Sequence, residues 1–507
     1  MTLRQETVLR LVVLLAVACG WAPAAVSGGQ PTNTATNLAA PPSIFMMPRL
    51  FERFAQGTTV AVLLTGRGNA AEAEAVCRKL IEEMPFFPPA HYNLACVLAE
   101  RGKLDAALDS LETAIALGYN DVAHMLQDAD LDKLRPDPRF EELMARAQRT
   151  PSWGLRHAPR PALVTDNVAW VAESNTVWDA HHNVLRTLFR FPAYPPKGRD
   201  IILEHGVVGD RLRAWFKEGS AAGNWGDLYD NRDAKHSNLD GRQFPQLTRI
   251  EYARQAVEAG LHYGPQLTML HGGVVAGNSS TAEVNNPFWR SQTRFALLSP
   301  GGPARLYAQF ASNQVYVYPA HKDYKPGNDG EGRAGDVFAF NTPYVITSQG
   351  SSGSDKPFLD AVFCTLAAFR PDVKKLLVKT GALMPTVQMI FRMSNKPVAK
   401  PDDYLTGAAH PPVFDGSNLN VEKMVALAHE MTRTNPPPVV QLQVLEEDRV
   451  VNGRDYFDIP GDRERLFDTP CAIARVWRST QPRRHLVVSA AASRDLNGQP
   501  LSFRWVV

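Results

Sequence analysis

The chain has 507 residues, too many for one hydrophobic core, so its length predicts about three domains. It carries 54 basic and 52 acidic residues. This balance excludes the strongly basic surface that is typical of nucleic-acid-binding proteins, and we expect no nucleic-acid partner.

The N-terminus has the layout of a cleavable secretory signal. Two arginines precede the apolar run 11–18, and the small residues 25–27 follow it. We therefore predict a signal peptide at residues 1–27 and an exported protein that is periplasmic, attached to the cell surface or secreted. The apolar run is too short to span a bilayer, so no transmembrane segment is expected after cleavage.

The cysteines do not form the dense pattern of a disulfide-stabilised protein. Cys19 follows small and apolar residues, so lipid attachment at Cys19 is an alternative to cleavage after residue 27. The four other cysteines are too scattered for a disulfide framework, although export permits disulfides. Cys77 and Cys96 lie on predicted helices that should pack together, and we interpret them as buried thiols.

Residues 50–149 contain an internal repeat, after a flexible leader that we predict at residues 28–49 from its Gly, Pro, Thr and Asn content. A shift of 34 residues aligns Ala61 with Ala95, Gly68 with Gly102, Ala73 with Ala107, and Leu80 with Ala114. This period is typical of a helix–turn–helix unit, in which small residues lie where the two helices cross.

The repeat resembles the tetratricopeptide (TPR) family. The resemblance implies a solenoid of stacked helix pairs with a groove that binds a protein or peptide partner. We expect Tyr92, Asn93 and Glu100 to be exposed in this groove, and the alternative is that they are ordinary solvated helix residues. Because two repeats alone bury little surface, helices near 51–54 and within 122–147 are expected to complete the stack.

Residues 150–434 predict a mixed α+β domain. Strand character is found at 162–172 and 183–191, a hairpin is predicted at 305–318, and helical patterns are found at 247–259, 358–369 and 421–433. The proline-rich segment 435–438 separates this domain from the remainder of the chain.

Residues 439–507 predict strands. The run from Asp495 through Asn497-Gly498 to Trp505 resembles the first hairpin of a polycystic-kidney-disease (PKD)-type immunoglobulin-like module. The resemblance implies an incomplete β-sandwich, a core position for Trp505 and a natural chain that continues past Val507. The predicted fold class is therefore multidomain, with a helical solenoid, an α+β domain and an incomplete β-sandwich.

Three aspartates at three-residue intervals form a candidate metal site. Asp227, Asp230 and Asp233 lie in a polar stretch, and carboxylate oxygens are the ligands that a calcium ion prefers. The spacing differs from that of an EF-hand loop. The alternative is a hydrogen-bonded surface loop without a metal.

A Gly/Ser-rich loop provides a candidate catalytic site. Ser351 lies between a predicted strand and a predicted helix, where backbone N–H groups can stabilise an oxyanion. We select Ser351 as the nucleophile and His236 or His271 as the base. The sequence does not match the Gly-x-Ser-x-Gly elbow of hydrolases, because Gln349 stands where the motif has its first glycine. The alternative is a flexible turn, with Asp355 capping the following helix.

Long runs within 224–240, 244–252 and 341–358 resemble segments of large exported proteins from planctomycete-type bacteria. The resemblance implies export and no particular activity. Two hypotheses follow. The first is an exported, non-catalytic binding or scaffold protein at the cell envelope or outside the cell. The second is a secreted hydrolase that acts on an ester or a glycan.

Overall fold

The structure, a computed structural model, describes residues 43–150, 159–179, 183–192, 206–221, 225–232, 237–240, 243–244, 246–262, 269–278, 302–319, 343–350, 353–448, 465–475 and 483–505. The chain divides into two compact units. Unit 1 is Met1–Arg160 with Thr176–Arg186, and unit 2 is Pro161–Asn175 with Thr187–Val507. The structural statements below concern the described residues of each unit.

The helices of unit 1 are α1 (Met47–Gly66), α2 (Ala70–Glu83), α3 (Pro88–Glu100), α4 (Leu104–Leu117), α5 (Val122–Gln127) and α6 (Pro138–Ala147). Those of unit 2 are α7 (Gly206–Lys217), α8 (Arg254–Glu258), α9 (Gly302–Ala311), α10 (Lys356–Ala368), α11 (Pro371–Thr380), α12 (Leu383–Ser394) and α13 (Val421–Glu430). None of the described helices combines the length and the apolarity needed to cross a membrane.

The strands are β1 (Ala162–Leu163), β2 (Val168–Val171), β3 (Thr176–Asp179), β4 (Val184–Thr187), β5 (Phe189–Arg190), β6 (Asp227–Asn231), β7 (Leu247–Tyr252), β8 (Met269–His271), β9 (Val275–Asn278), β10 (Gln314–Pro319), β11 (Val345–Ser348), β12 (Gln443–Glu447), β13 (Arg465–Thr469), β14 (Ala472–Arg475) and β15 (Leu486–Ser489).

The repeat in unit 1 corresponds to two consecutive helical hairpins, α1–α2 and α3–α4. The aligned alanines are buried, because a small side chain allows the paired helices to approach closely. Gly68 and Gly102 have φ angles of 83° and 74° in the two turns, a conformation that glycine adopts without a steric penalty. The sequence alignment therefore matches a structural duplication.

Later residues complete the core of unit 1. Met125, Leu131, Phe140 and Met144 pack in the same cluster as the alanines of the hairpins. The predicted helices around 51–54 and within 122–147 are thus confirmed. Cys77 and Cys96 are free and buried, as predicted, rather than joined in a disulfide.

Residues 176–186 also belong to unit 1. The Trp178 ring lies 5.3 Å from the Phe51 ring, measured between centroids. Asn183 accepts a hydrogen bond from the indole of Trp178 (3.1 Å) and donates one to the carbonyl oxygen of Pro48 (3.2 Å). These contacts hold the segment against the start of α1.

Unit 2 contains a six-stranded sheet in the order β11–β10–β9–β6–β7–β2. Every neighbouring pair in it is parallel. Parallel strands require crossover connections, and their helices cover both faces of the sheet. This explains why all six residues of β10 are buried. The helices α10, α12 and α13 contribute many residues to the core that contains β10 and β11.

Two local predictions in unit 2 are wrong. Residues 305–318 were expected to form a hairpin, but they span the end of α9 and most of β10, and β10 pairs in parallel with β9 and β11. Leu306 and Phe310 are buried at helical i, i+4 spacing. Burial of this helical face outweighs the alternation of apolar and polar residues that predicted a strand. Residues 247–259 are a strand followed by one short helix. The helices predicted at 358–369 and 421–433 are confirmed as α10 and α13.

The C-terminal residues form two antiparallel strand pairs, β12 with β15 and β13 with β14, but the described residues 499–505 contain no strand, so the predicted hairpin of an immunoglobulin-like module is not observed there. Gly498 has a φ of 72° and donates its N–H to the carbonyl oxygen of Asp495, which forms a turn. Trp505 was expected in a core but is 60% exposed, because the described residues around it provide no covering strand. A mixed α+β architecture is therefore observed for unit 2.

Candidate functional sites

The structure separates the two described aspartates of the predicted metal site. Asp227 and Asp230 lie on strand β6 and not on a surface loop, and both are buried. Residues three apart on a strand point to opposite faces, so their carboxylates do not converge. Asp233 lies outside the described residues. The prediction that Asp227 and Asp230 share a calcium ion is therefore wrong.

Each of these aspartates has its own cation. The Asp227 carboxylate accepts a hydrogen bond from Lys374 Nζ on α11 at 2.8 Å, and the same ammonium donates to the carbonyl oxygen of Leu366 at 3.0 Å. Asp230 pairs with Arg232, and the Oδ2–Nη2 distance is 2.6 Å. Both side chains of this second pair are 0% exposed.

Two tyrosines complete the surroundings of Asp230. The Tyr252 hydroxyl on β7 donates to Asp230 Oδ1, and the Tyr316 hydroxyl on β10 donates to Oδ2, both at 2.8 Å. Arg232 also donates to both hydroxyls, at 2.9 and 3.2 Å. The ring faces of both tyrosines lie within cation–π distance of the guanidinium. Opposite charges and hydroxyl groups are thus matched within one buried cluster.

His271, at the end of β8, joins the same cluster. Its Nε2 lies 3.1 Å from Arg232 Nη2, and its Nδ1 lies 2.8 Å from Thr187 Oγ1. Burial lowers the pKa of His271, although the Asp230 carboxylate opposes this effect. Burial alone raises the pKa of Asp230, but attraction to Arg232 and His271 outweighs it and brings the pKa below its usual range.

The cluster lies at the carboxyl end of β6, where the chain order of the sheet reverses. The strand after β6 in the chain, β7, lies on one side of it, and the later strand β9 lies on the other. Ligands of open parallel sheets bind outside such a switch point. The backbone N–H of Arg232 donates to Asn278 Oδ1 on β9 at 2.9 Å, so the two strand ends are joined there.

Gly277 allows β6 and β9 to approach closely at this point. A Cβ atom on Gly277 would lie 2.2 Å from the carbonyl oxygen of Asp230 and 3.0 Å from the Tyr316 ring. Any larger residue would push the strands apart. The absence of a side chain at Gly277 therefore sets the position of Asp230 relative to Tyr316.

The charged and hydrogen-bonding groups of this cluster already have partners within it, which limits the chemistry available to them. The charges of Asp230 and Arg232 cancel, and both oxygens of Asp230 accept hydrogen bonds. Both ring nitrogens of His271 already have partners. A general base needs a free lone pair within reach of its substrate. The described contacts therefore make the cluster a clamp that joins β6, β7, β8 and β10, and they do not favour His271 as a base.

The predicted nucleophile Ser351 and the alternative base His236 lie outside the described residues. The flanking elements are as predicted, since β11 ends at Ser348 and α10 begins at Lys356. Asp355 occupies the N-cap position of α10, but its side chain makes no capping hydrogen bond and instead accepts one from the Ser237 hydroxyl.

The residues predicted to bind a peptide in unit 1 differ in exposure. Tyr92 is buried, and the expectation that it lines a groove is wrong, because its hydroxyl donates to Asp128 Oδ2 at 2.5 Å. Asn93 is partly buried and donates to Thr58 Oγ1 on α1 at 3.0 Å. Glu100 is exposed at the end of α3.

Sequence reasoning missed Arg232, Tyr252 and Tyr316. A signal for Arg232 was present, because Asp230 and Arg232 are two residues apart and a strand places such residues on one face. The tyrosines gave no signal, since their partners are distant in the sequence. Comparison of the chain with known protein families, with curated proteins and with solved structures finds no match.

Proposed function

We propose that the protein is an exported binding or scaffold protein that mediates protein–protein interactions through TPR-type helical repeats. The observation that carries this proposal is the duplicated hairpin of unit 1, in which aligned alanines are buried and Gly68 and Gly102 share one backbone conformation. Stacked hairpins present the first helix of each pair on a common face, and repeat proteins use such faces for binding.

The contacts of α1 and α3 support this common face. The hydrogen bond from Asn93 to Thr58 joins the two helices, and both are the first helices of their hairpins. Asn93 and Glu100 are seven residues apart, which places them on one side of α3. Among the described residues, no basic side chain forms an ion pair with Glu100. The face therefore favours a peptide that carries a basic residue.

Export rests on the N-terminal pattern of residues 1–27, which lie outside the described residues. Export agrees with a binding role, because an exported protein reaches partners at the cell envelope without a transmembrane helix of its own. Unit 2 then contributes a second surface or a rigid spacer.

The test is binding of short unstructured peptides, selected from a display library, to the full chain. We expect selected peptides to be rich in Lys or Arg, and Glu100→Lys to weaken their binding by about tenfold or more, as like charges meet at the interface. Glu82→Lys makes the same change at an exposed position of α2 and serves as the control. Equal binding by both variants, or no selected peptide, contradicts the proposal.

The second candidate is a secreted ester or glycan hydrolase, and the succession of β11, a Gly/Ser-rich loop and α10 favours it, because backbone N–H groups at the start of a helix can stabilise an oxyanion. Its nucleophile is Ser351. A panel of chromogenic esters and glycosides tests this function: Ser351→Ala should abolish turnover, whereas Ser354→Ala, three residues along the same loop, should retain it. The absence of hydrolysis by the wild-type chain rejects this candidate.

A further inference from the structure

The first helix of the repeat, α1, exposes two large apolar side chains. Val60 and Leu63 are each 47% exposed, and their spacing of three residues places them on one side of the helix. Gly66 follows one turn later, and a Cβ atom added there would have no neighbour within 4 Å. The described residues thus leave this side of α1 open to solvent.

The internal repeat shows what covers the same side of α3. The shift of 34 residues places Val60 on Leu94 and Leu63 on Val97. Leu94 and Val97 are buried in the same cluster as Cys77 of the preceding hairpin. Since each hairpin of a helical repeat packs against the next, the open side of α1 is where a preceding hairpin would pack. Within the described residues, it is an uncovered end of the stack.

The apolar pair belongs to a longer row of exposed residues, which we call the end face. The row consists of Glu52, Gln56, Val60, Leu63 and Arg67, and all five are exposed. They follow one another at steps of three or four residues, so they lie along one side of α1. The row therefore has a carboxylate at one end, apolar side chains near its centre and a guanidinium at the other end.

The end face is complementary to a second copy of itself. Gln56 and Leu63 are equally distant from the point between residues 59 and 60, and so are Glu52 and Arg67. If two copies of α1 pack antiparallel about a twofold axis at this point, each carboxylate meets the guanidinium of the other copy, and Val60 lies at the axis. Within one chain the two charges are about 22 Å apart along the helix, too far to pair with each other.

We propose that two copies of this chain form a dimer through the end faces of their α1 helices. Burial of the apolar centre drives the association, and the two pairs of Glu52 with Arg67 fix the antiparallel orientation. The dimer joins two helical stacks end to end. It does not use the side of α3 that carries Asn93 and Glu100, so the proposal stands whether or not the proposed peptide partner exists.

The test is the mass of the purified full chain, measured by sedimentation equilibrium over a range of protein concentrations. We expect a concentration-dependent dimer. Leu63→Glu buries a carboxylate from each copy in the apolar centre and should raise the dissociation constant by about thirtyfold or more. Leu126→Glu, on α5, changes a leucine that is 49% exposed and should alter the dissociation constant by less than about threefold.

Charge reversal separates a contact between copies from an effect within one chain. Glu52→Arg and Arg67→Glu should each raise the dissociation constant by about tenfold, because like charges then meet across the axis. The double variant should return to within about threefold of the wild-type value. Since the two positions cannot touch within one chain, this recovery requires that they meet between copies.

Three results overturn the proposal. The first is a monomer at every concentration, whether because an earlier segment of the chain covers the end face or because a different protein does. The second is an equal effect of Leu63→Glu and Leu126→Glu. The third is a double charge-reversal variant that associates no more tightly than the two single variants.

Discussion

In unit 1 the Glu74 carboxylate contacts three cations that remain partly exposed to solvent, whereas in unit 2 the side chains of the Asp230–Arg232 ion pair are completely buried. The side chains of the three cations are 53%, 27% and 45% exposed, for Arg78, Arg101 and Lys103 respectively. Water can replace a lost partner at Glu74, but no water reaches the ion pair of unit 2. Removing one partner should therefore cost far more in unit 2.

The two ionic clusters also differ in what they join. Glu74 links α2 to the turn between α3 and α4, which are successive elements of the chain. Asp230 and Arg232 link β6 to Tyr316, 86 residues from Asp230. The first cluster fixes neighbouring hairpins, and the second fixes the register of strands that meet only in the finished sheet.

The largest expected effect is that of Arg232→Met. Because this change leaves Asp230 buried without its cation, we expect the free energy of unfolding of unit 2 to fall by roughly 3–5 kcal/mol. Hydrogen exchange of peptides that cover β6 and β7 measures the loss. Arg249→Met on β7 removes an arginine that is 60% exposed and should change stability by less than about 0.5 kcal/mol. Equal losses of stability in the two variants would contradict the expected difference between the buried and the exposed arginine.

Lys374→Met should have the next largest effect. It leaves Asp227 buried without its cation, and we expect a loss of about 3 kcal/mol in the free energy of unfolding of unit 2. Lys375→Met makes the same change at the next residue, which is exposed, and is the matched control. If both variants melt alike in chemical denaturation, the Asp227 pair does not contribute to stability.

Glu74→Gln tests the partly solvated cluster of unit 1. We expect a loss of about 1–2 kcal/mol, because charge-assisted hydrogen bonds are lost while the cations remain hydrated. Glu72→Gln, at an exposed position on the same helix, should have almost no effect. A loss as large as that of Arg232→Met would contradict the comparison.

The same carboxylate predicts an acid dependence. The hydrogen bond from Lys103, with Arg78 and Arg101, lowers the pKa of Glu74 from 4.5 to about 2 despite the opposing effect of burial. A lowered pKa means that the stabilisation is complete above pH 4.5 and is lost as the pH falls towards 2. The Glu74→Gln variant should lack this part of the acid dependence.

The smallest expected effect is the pH dependence due to His271. Burial lowers its pKa below 6.5, so the unfolded chain binds a proton before the folded protein does. Stability should therefore decrease as the pH falls below 6.5, by at most about 1.4 kcal/mol per pH unit. His271→Gln should remove this slope, whereas His485→Gln, at an exposed histidine, should preserve it. Denaturation midpoints at several pH values provide the measurement.

The helices of unit 1 were predictable because their determinants are local. Apolar side chains recur at helical spacing, and the repeat places alanines and glycines at equivalent positions. Exposure within a helix was harder to predict. Tyr92 is buried because Asp128, distant in sequence, accepts its hydroxyl hydrogen bond, and no local pattern contains this partner.

The sheet of unit 2 was much less predictable. The run 305–318 alternates as a hairpin does, yet its first half is helical because Leu306 and Phe310 face a core built by later residues. For the candidate site, the sequence analysis selected Asp230 as a metal ligand and His271 as a catalytic base, whereas both lie buried in one hydrogen-bonded cluster. Their partners Thr187, Arg232 and Tyr316 come from the end of β4, from the residue after β6 and from within β10, and only the tertiary fold brings them together.

The parallel order of the sheet has a consequence for biosynthesis. Neighbouring strands are never joined by a tight turn, and Tyr316 leaves the ribosome long after Arg232. At about 5–20 residues per second, the nascent chain keeps Asp230 and Arg232 in water for roughly 4–17 s before their last partner is made. The helical hairpins of unit 1 pair residues that are close in the sequence, so their folding involves no such delay. We therefore expect these hairpins to fold before the sheet of unit 2 during translation.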